Sequence, residues 1–257
     1  MSQLEFHQFI CRSDNYGVLV HDSSTGQTVS IDAPDGAEIE RQLTQLGWQL
    51  THIFTTHHHG DHVEGNGALK AAYGCDIIGP AAEADRIPGM TQHVSGGDSF
   101  TWAGHHIHVL ACPGHTKGHI AYHMPAAQVV FAGDTLFSLG CGRVFEGTMA
   151  EMAGAVRQFK SLPPETRLYC GHEYTQSNAR FALSVEPGNK ALQQRATEVD
   201  QLRASGGMTC PTTIGLEVET NPFLRTESAE IRQSLGLAHA SDSEVFAELR
   251  RRKDGFR

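Results

Sequence analysis

The sequence lacks the segments that mark membrane and secreted proteins. None of its apolar runs approaches the roughly 20 residues that a membrane-spanning helix needs. The segment Met1–Phe6 has no basic stretch followed by an apolar one, as a secretory signal would. The six cysteines include no Cys-x-x-Cys pair. These absences predict a cytoplasmic protein with reduced thiols and no membrane partner.

Basic residues and motifs for a covalent nucleophile are also scarce. The sequence has 20 Lys and Arg but 29 Asp and Glu. The resulting net charge of -9 argues against nucleic acid as a partner. There is no Gly-x-Ser-x-Gly turn, and Cys112, Cys141 and Cys170 come with no obvious triad, so we expect small buried thiols. The 257 residues, 39% of them hydrophobic, suffice for one large globular domain or a medium domain with a smaller one.

Histidine, by contrast, is abundant and is concentrated in one stretch. Four of the 16 histidines fall, with one aspartate, in His57-His58-His59-Gly60-Asp61-His62, and two threonines separate this stretch from the apolar run His52–Phe54. So many polar groups are costly to bury unless they bind something. The first and third histidines alternate as on an extended strand end, whereas the aspartate and the last histidine follow a glycine. The stretch can therefore direct ligands to two points.

Three further predicted strands also end in a glycine turn that carries a ligand-type residue. These turns are Pro113-Gly114-His115-Thr116, Gly133-Asp134-Thr135 and Gly171-His172-Glu173. Strand ends line one edge of a sheet layered with helices, where ligands commonly bind. We therefore predict a metal site built from four strand ends.

The predicted ligands form two sets with one shared residue. We assign His57, His59 and His115 to one metal, Asp61, His62 and His172 to a second, and Asp134 to a position between them. These donors suit zinc, iron or manganese, and the sequence alone does not choose among them. Two metals about 3.5–4 Å apart activate water, so the pattern predicts a hydrolase in which Asp61 or Asp134 orients or deprotonates that water.

Two neighbouring histidines are assigned supporting roles. The side chain of His58 should point away from its neighbours on an extended segment, so a structural role is expected. His119 is interpreted as a packing or outer-shell residue rather than a ligand.

The character of the chain changes near residue 173. Before it, short β-rich segments such as Leu4–Ile10, Tyr16–His21 and Thr28–Ile31 dominate, with a helix predicted at Asp35–Leu46. Residues 81–97 are predicted to be irregular. After residue 173, helical spacing prevails, so we predict a first domain of residues 1–173 and a small helical domain of residues 174–257.

Several motifs give the chain a family resemblance. Thr56–His62, Pro113–Thr116, Gly133–Phe137 and Gly171–Tyr174 resemble the ordered motifs of the metallo-β-lactamase superfamily. Within it, the chain is similar to the glyoxalase II, or hydroxyacylglutathione hydrolase, family over essentially its whole length. The motifs that carry this narrower resemblance are Gly140–Thr148, Asn221–Arg225 and Arg250–Asp254.

The resemblance implies a fold, a reaction and a binding site. The fold would be an αββα sandwich of the metallo-β-lactamase type, followed by a small all-α domain that helps to bind glutathione. The reaction would convert S-D-lactoylglutathione and water to D-lactate and glutathione, the second step of methylglyoxal degradation. Two divalent metal ions are expected, zinc before iron or manganese, in a monomer. The residues assigned to the glutathione moiety are Arg143, Phe145, Tyr174, Arg250 and Lys253. Better-known members often have lysine and tyrosine at the first two of these positions.

The basic run at the end of the chain has two interpretations. It supplies counter-charge for glutathione, a small anion with two carboxylates, or, for Arg251, Arg252 and Arg257, it forms the solvated face of the last helix. Two other functions also stay open: a persulfide dioxygenase with a single iron, and a non-enzymatic metal-binding or scaffold protein. A nuclease of the same superfamily is disfavoured by the acidic charge balance.

Overall fold

A computed structural model of the protein describes residues 4–256. Arg257 of the basic run and the first three residues of the segment tested for a secretion signal lie outside this range. The described chain forms two compact units. One comprises the residues up to Ala111 together with Gly118–Gly133, and the other comprises Cys112–Lys117 and the residues from Asp134 onward. The predicted domain boundary after residue 173 falls within the second unit and remains a prediction.

The first unit is built mainly from strands. Its elements, in chain order, are β1 (Leu4–Cys11), β2 (Asn15–Asp22), β3 (Gln27–Ile31), α1 (Gly36–Leu46), β4 (Leu50–Phe54), α2 (Gly60–Val63), α3 (Asn66–Tyr73), β5 (Asp76–Pro80), β6 (Gln92–Val94), β7 (Ser99–Trp102), β8 (His105–Ala111), β9 (Ile120–Met124) and β10 (Val129–Gly133). The predicted strands and helix at the start of the chain are confirmed to within two residues at each end.

Two sheets of the first unit pack face to face. Strands β1 to β6 lie in sequence order, antiparallel from β1 to β3 and parallel from β3 to β6. Strands β7, β8, β9 and β10 form an antiparallel array. The ring of Phe54 in β4 lies 5.2 Å, centroid to centroid, from the rings of Phe100 in β7 and Tyr122 in β9. An aromatic core therefore joins the sheets.

Helices α1 and α3 cover the other face of the first sheet. Ile39 and Leu43 of α1 and Leu69 of α3 are buried in one cluster with side chains of β2, β4 and β5. Asp35 caps α1 by accepting hydrogen bonds from the second and third helical N–H groups, and Gly47 ends it in the left-handed conformation, with φ of 70°. The unit thus has the order helix layer, sheet, sheet.

The prediction that residues 81–97 are irregular is wrong. Ala81–Arg86 forms a 3₁₀ helix, and Gln92–Val94 is strand β6, which pairs with β5 at the edge of the first sheet. Both elements are too short to show a period in the sequence, and neighbouring main-chain groups stabilise them instead.

The second unit is mainly helical. Its elements are β11 (Leu136–Phe137), β12 (Gly140–Cys141), α4 (Met149–Gln158), β13 (Arg167–Cys170), α5 (Thr175–Val185), α6 (Lys190–Ala204), β14 (Thr212–Thr213), α7 (Ile214–Thr220), α8 (Ala229–Leu235) and α9 (Asp242–Gly255). Strands β11 and β12 form a short hairpin, and β13 pairs with β14. From α5 onward the described chain is helical apart from β14.

The cysteines are buried thiols, as predicted. Within residues 4–256 no cysteine forms a disulfide, and each cysteine side chain is buried. Burial raises the pKa of Cys11 to about 12 and that of Cys141 to about 11, so neither is a thiolate at neutral pH. Separately, the described part of the chain contains no helix with the length and apolar character of a membrane span.

Candidate metal centre

The first group of predicted ligands lies in the loop that follows β4. This strand is flanked by β3 and β5 in the parallel part of its sheet. The chain then enters α2 at Gly60, and this single helical turn carries Asp61 and His62. The imidazoles of His57 and His62 are buried, where polar groups need partners.

Donor atoms in this loop are spaced like ligands of a common ion. Nε2 of His57 lies 3.1 Å from Nδ1 of His59. Nε2 of His62 lies 3.8 Å from Oδ2 of Asp61. Two nitrogens bound tetrahedrally to one zinc, each at about 2.0–2.1 Å, are roughly 3.3 Å apart. The loop therefore brings its four predicted ligands together as two pairs of closely spaced donors.

Asp32, directly after β3, orients two of these ligands and is missing from the sequence-based prediction. Its carboxylate accepts hydrogen bonds from the Thr56 main-chain N–H at 2.7 Å, the Thr56 hydroxyl at 2.9 Å and Nδ1 of His62 at 2.8 Å. Because the hydroxyl hydrogen is used on Asp32, the Thr56 oxygen accepts from Nδ1 of His57 at 3.0 Å. The signal for Asp32 was available, since β3 also ends in a ligand-type residue.

These hydrogen bonds select the coordinating nitrogen of each ring. A carboxylate can only accept, as can a hydroxyl oxygen whose hydrogen is already donated, so Nδ1 carries the hydrogen in His57 and His62. In the neutral rings, Nε2 then presents a lone pair. The lone pair of His62 faces a carboxylate oxygen of Asp61, an acceptor against an acceptor. A cation between them satisfies both atoms, so this donor set fits a metal ion.

Asn15 is a second supporting residue that the sequence did not reveal. It is buried at the start of β2. Its amide Nδ2 donates to the main-chain oxygen and to Oδ2 of Asp61, both at 3.1 Å. The Asp61 carboxylate is therefore oriented from outside its own loop.

The second unit holds the other three predicted ligands, which are one aspartate and two histidines close to its carboxylate. Oδ2 of Asp134 lies 3.4 Å from Nε2 of His115 and 3.3 Å from Nε2 of His172. Nδ1 of His115 donates to the main-chain oxygen of Arg143 at 2.8 Å, so in the neutral ring Nε2 again directs its lone pair at a carboxylate. A Cβ at Gly142 would lie 1.9 Å from the Asp134 carbonyl oxygen, so only glycine permits this approach. This donor set also fits a cation.

The two supporting histidines make contacts inside the first unit. Nδ1 of His58 lies 2.7 Å from Oε2 of Glu83. The ring of His119 stacks on that of His57, with centroids 4.7 Å apart and planes at 26°. His58 is therefore bonded to a residue outside the ligand loop, and His119 packs against one of the predicted ligands.

Two residues assigned to the substrate are exposed aromatics beside the second ligand group. Phe145 is 61% exposed, and its ring centroid lies 5.2 Å from that of His115. Tyr174 is 40% exposed and stacks on His172 with centroids 4.8 Å apart and planes at 2°. Large exposed rings against buried histidines form a surface suited to a ligand.

Arg250, assigned to glutathione, is instead engaged with the main chain. Only 3% of it is exposed. Its guanidinium donates to the carbonyl oxygens of Cys141 at 2.6 Å and Gly142 at 3.4 Å, and it pairs with Asp254 at 3.0 Å. Its predicted contact with substrate remains a prediction.

The neighbours of Arg250 in the basic run lie partly at the surface and partly in the interior. Arg251 and Arg252 are exposed and pair with Glu248, as on a solvated helix face. Lys253 is half-buried, and its Nζ donates to the main-chain oxygen and hydroxyl of Ser177 at 3.1 and 2.9 Å. One residue of the run is therefore a half-buried cation.

The charge of Lys253 is easily lost. Burial lowers its pKa to about 8, helped by the positive charges of Arg250, Arg180 and Arg143 and opposed by Asp254. Its surroundings are therefore electropositive, and a bound anion would favour its charged form.

Comparison with known proteins divides the chain into two matched parts. Residues 14–172 match the metallo-beta-lactamase superfamily, and residues 173–256 match the hydroxyacylglutathione hydrolase C-terminus. The hydroxyacylglutathione hydrolase of Brucella anthropi is 58% identical over 254 residues, which cover 99% of this chain and 98% of that protein.

Solved structures share the architecture. ETHE1 from Myxococcus xanthus aligns with a TM-score of 0.67 at 25% identity, covering 98% of this chain and 100% of its own. TTHA1623, solved in a di-iron-bound form, aligns with a TM-score of 0.62 at 23% identity, covering 86% and 100% of the two chains. The matches confirm the predicted fold class, a metallo-β-lactamase-type α/β domain followed by a helical C-terminal part.

Proposed function

The chain belongs to the hydroxyacylglutathione hydrolase family of the metallo-β-lactamase superfamily, and from this membership we propose that it hydrolyses S-D-lactoylglutathione. The products are D-lactate and glutathione, which makes the reaction the second step of methylglyoxal detoxification. One observation carries the proposal of metal-assisted hydrolysis: histidine lone pairs directed by hydrogen bonds face carboxylate oxygens in both ligand groups.

We propose that the seven predicted ligands hold two divalent ions. The ligands are His57, His59, Asp61, His62, His115, Asp134 and His172. Such ions supply an activated water near neutral pH and polarise the carbonyl that is attacked. Zinc suits the imidazole-rich donor set best, with iron or manganese as alternatives.

The two carboxylates of this set are proposed as the catalytic residues. Either Asp61 or Asp134 orients the attacking water by accepting a hydrogen bond from it, or accepts the one proton that the water gives up. The pair Asn15 and Asp61, joined at 3.1 Å, supports the role of Asp61 because the carboxylate is held in one orientation. No general acid is required for the leaving group, since a thiol with a pKa near 8.5 leaves readily as thiolate.

Binding of the glutathione moiety is assigned to the second unit. Arg143, Arg250 and Lys253 supply positive charge for its two carboxylates, and Phe145 and Tyr174 supply exposed apolar surface. Support comes from the pKa of Lys253, which burial and then the neighbouring positive charges lower and which a bound anion would raise. Phe145 provides a ring without a hydroxyl, so its contribution is contact area alone.

The proposal is tested with purified protein of the native sequence. Loss of the thioester absorbance of S-D-lactoylglutathione is followed while metals per chain are counted by elemental analysis. We expect hydrolysis in proportion to metal content, near two ions per chain, and no oxygen uptake with glutathione persulfide. Absence of hydrolysis by metal-replete protein would refute the function, and oxygen consumption would favour a persulfide dioxygenase.

We also propose a cytoplasmic monomer. Support for the cytoplasmic location comes from the six cysteines, which contain no Cys-x-x-Cys pair and are buried thiols within the described chain. Light scattering after size exclusion would give a mass near 28.0 kDa, and fractionation of cells would place the activity in the cytosol.

A further inference from the structure

We infer that Glu83 is a positioning residue for the ligand loop: its buried carboxylate holds the two segments that flank His57. The inference rests on the proposed function, because that loop is proposed to bind the metals. Glu83 lies in the 3₁₀ helix Ala81–Arg86, within the segment that the sequence predicted to be irregular, and it is 1% exposed. A buried carboxylate is costly unless its acceptor sites are used.

Three nitrogen donors are directed at this carboxylate. Oε2 accepts from the main-chain N–H of His58 at 2.8 Å and from Nδ1 of the same residue at 2.7 Å. Oε1 accepts from the main-chain N–H of Gly118 at 2.9 Å. One side chain thus joins residues that are 25 and 35 positions away in the sequence.

Both joined segments bear on the proposed ligand His57. The N–H of His58 belongs to the peptide group that follows His57, so its hydrogen bond restrains the main chain between His57 and His59. Gly118 precedes His119, whose ring stacks on that of His57 at 4.7 Å. Glu83 therefore restrains the main chain on one side of His57 and the stacked ring on another.

The approach of Glu83 to the second segment requires a glycine. A Cβ at Gly118 would lie 2.5 Å from Cγ of Glu83, closer than two carbon atoms can pack. A side chain at position 118 would therefore displace Glu83, and it would also crowd Cβ of Ala82 at 2.9 Å.

Replacing Glu83 by glutamine keeps the shape and removes an acceptor. The amide has one oxygen and an NH₂ group, so its NH₂ group would face the N–H donor of either Gly118 or His58. Replacing it by aspartate keeps both acceptors on a side chain that is one methylene shorter. Residues that orient ligands without touching the metal commonly affect metal affinity by about 10- to 100-fold.

Asp22 provides a matched control in the same unit. It is also fully buried and accepts from two main-chain N–H groups, those of Ser24 and Thr25, and from a ring nitrogen of His105. It lies at the opposite end of β2 from Asn15. Asp22→Asn therefore reports the loss of a similar buried carboxylate away from the ligand loop.

The test compares Glu83→Gln, Glu83→Asp and Asp22→Asn with the native protein. Zinc binding is measured by competition with a chromophoric chelator at one temperature, and the melting temperature of the metal-free protein is measured separately. KM for S-D-lactoylglutathione is taken at saturating zinc. We expect about 10- to 100-fold weaker zinc binding in Glu83→Gln, partial recovery in Glu83→Asp, and native zinc affinity in Asp22→Asn. KM should stay within about twofold of the native value, because the glutathione contacts are assigned elsewhere.

The outcomes separate this inference from the proposed function. Equal zinc affinity in Glu83→Gln and the native protein would overturn the positioning role, even if the enzyme hydrolyses its thioester. An equal loss of affinity in Asp22→Asn would overturn it too, because the effect would then be general destabilisation. Failure of the metal-replete native protein to hydrolyse the thioester would instead refute the proposed function. If Glu83→Gln does not fold, the comparison between Glu83→Asp and Asp22→Asn decides.

Discussion

At the scale of single residues, the partner of one ring nitrogen determines the use of the other. Nδ1 of His62 donates to Asp32 and Nδ1 of His115 donates to a main-chain carbonyl, so Nε2 is the nitrogen left to bind the proposed metal in both rings. A fixed tautomer and ring orientation reduce the reorganisation that metal binding would otherwise require. These hydrogen bonds therefore fix the orientation of two of the predicted ligand rings.

Asp134 has the largest predicted effect of any single residue. Asp134→Ala removes the oxygen that lies within 3.4 Å of Nε2 in both His115 and His172. We expect fewer metals per chain and a fall in kcat of about 100-fold or more, as for other groups that stabilise a transition state. Elemental analysis and steady-state kinetics measure both effects, with the exposed Asp200→Ala as control. Native metal content and native turnover together would contradict the assignment.

Lys253 predicts a pH dependence of substrate capture. Its pKa is lowered to about 8, so the side chain is charged below that pH and neutral above it. Because the proposed substrate is an anion, kcat/KM should fall as the pH rises through about 8, whereas kcat should change less, since a bound carboxylate raises the pKa again.

The arginine variant tests this assignment. In Lys253→Arg the charge persists, because a guanidinium stays protonated above pH 12, and the fall in kcat/KM should move to higher pH. An identical fall in the native protein and in Lys253→Arg would show that another group is responsible.

At the scale of elements, the end of α9 is joined to the hairpin β11–β12. Arg250 of α9 donates to the carbonyl oxygen of Cys141 in β12. The amide of Asn221 donates to the carbonyl oxygens of Phe137 and Gly140 in the same hairpin. The chain then continues to Arg143, a proposed substrate residue. The hydrogen bonds of Arg250 and Asn221 therefore hold the hairpin that leads to the proposed substrate residue Arg143.

This network predicts a stability effect for Arg250. Arg250→Ala leaves buried carbonyl oxygens without a charged donor, so we expect the free energy of unfolding to fall by about 2–3 kcal/mol. The exposed neighbour variant Arg251→Ala should change it by less than about 0.5 kcal/mol. Urea denaturation measures both values. Unchanged stability with a raised KM in Arg250→Ala would instead assign the residue to substrate binding alone.

At the scale of the whole molecule, metal ions should contribute to stability. Each donor group is assembled only by folding, because hydrogen bonds from distant residues orient its members. An ion that binds the folded chain alone stabilises it in proportion to the logarithm of its concentration. The net charge of -9 adds a general preference for cations over anions.

Removal of metal is therefore predicted to lower the melting temperature. An ion present at about 100 times its dissociation constant contributes about 2.7 kcal/mol, or roughly 5–10 °C for a chain of this size. Scanning calorimetry before and after chelation, with zinc added back as control, measures the shift. An unchanged melting temperature after complete loss of metal would mean that the ligand groups are equally stable empty.

Much of the fold and the ligand set could be predicted from local pattern. Short β-rich segments, the capped helix α1 and ligand-type residues at strand ends are all visible within a few neighbouring positions. The 3₁₀ helix at Ala81–Arg86 and strand β6 could not be predicted, because segments this short show no period. Asn15 and Glu83 were missed for another reason: nothing local distinguishes a buried carboxylate or amide from a surface one. Asp32, in contrast, stands at the end of a predicted strand and could have been identified by the same pattern as the ligands.

Residue type and spacing along the chain were enough to predict the class of fold, the family and the candidate donors of the metal site. The groups that orient those donors could be identified only in the folded chain. His58 meets Glu83 across 25 residues, His62 meets Asp32 across 30, and Arg250 meets Cys141 across 109. Periodicity indicates which face of an element is buried, but hydrogen-bond partners so far apart are chosen by packing.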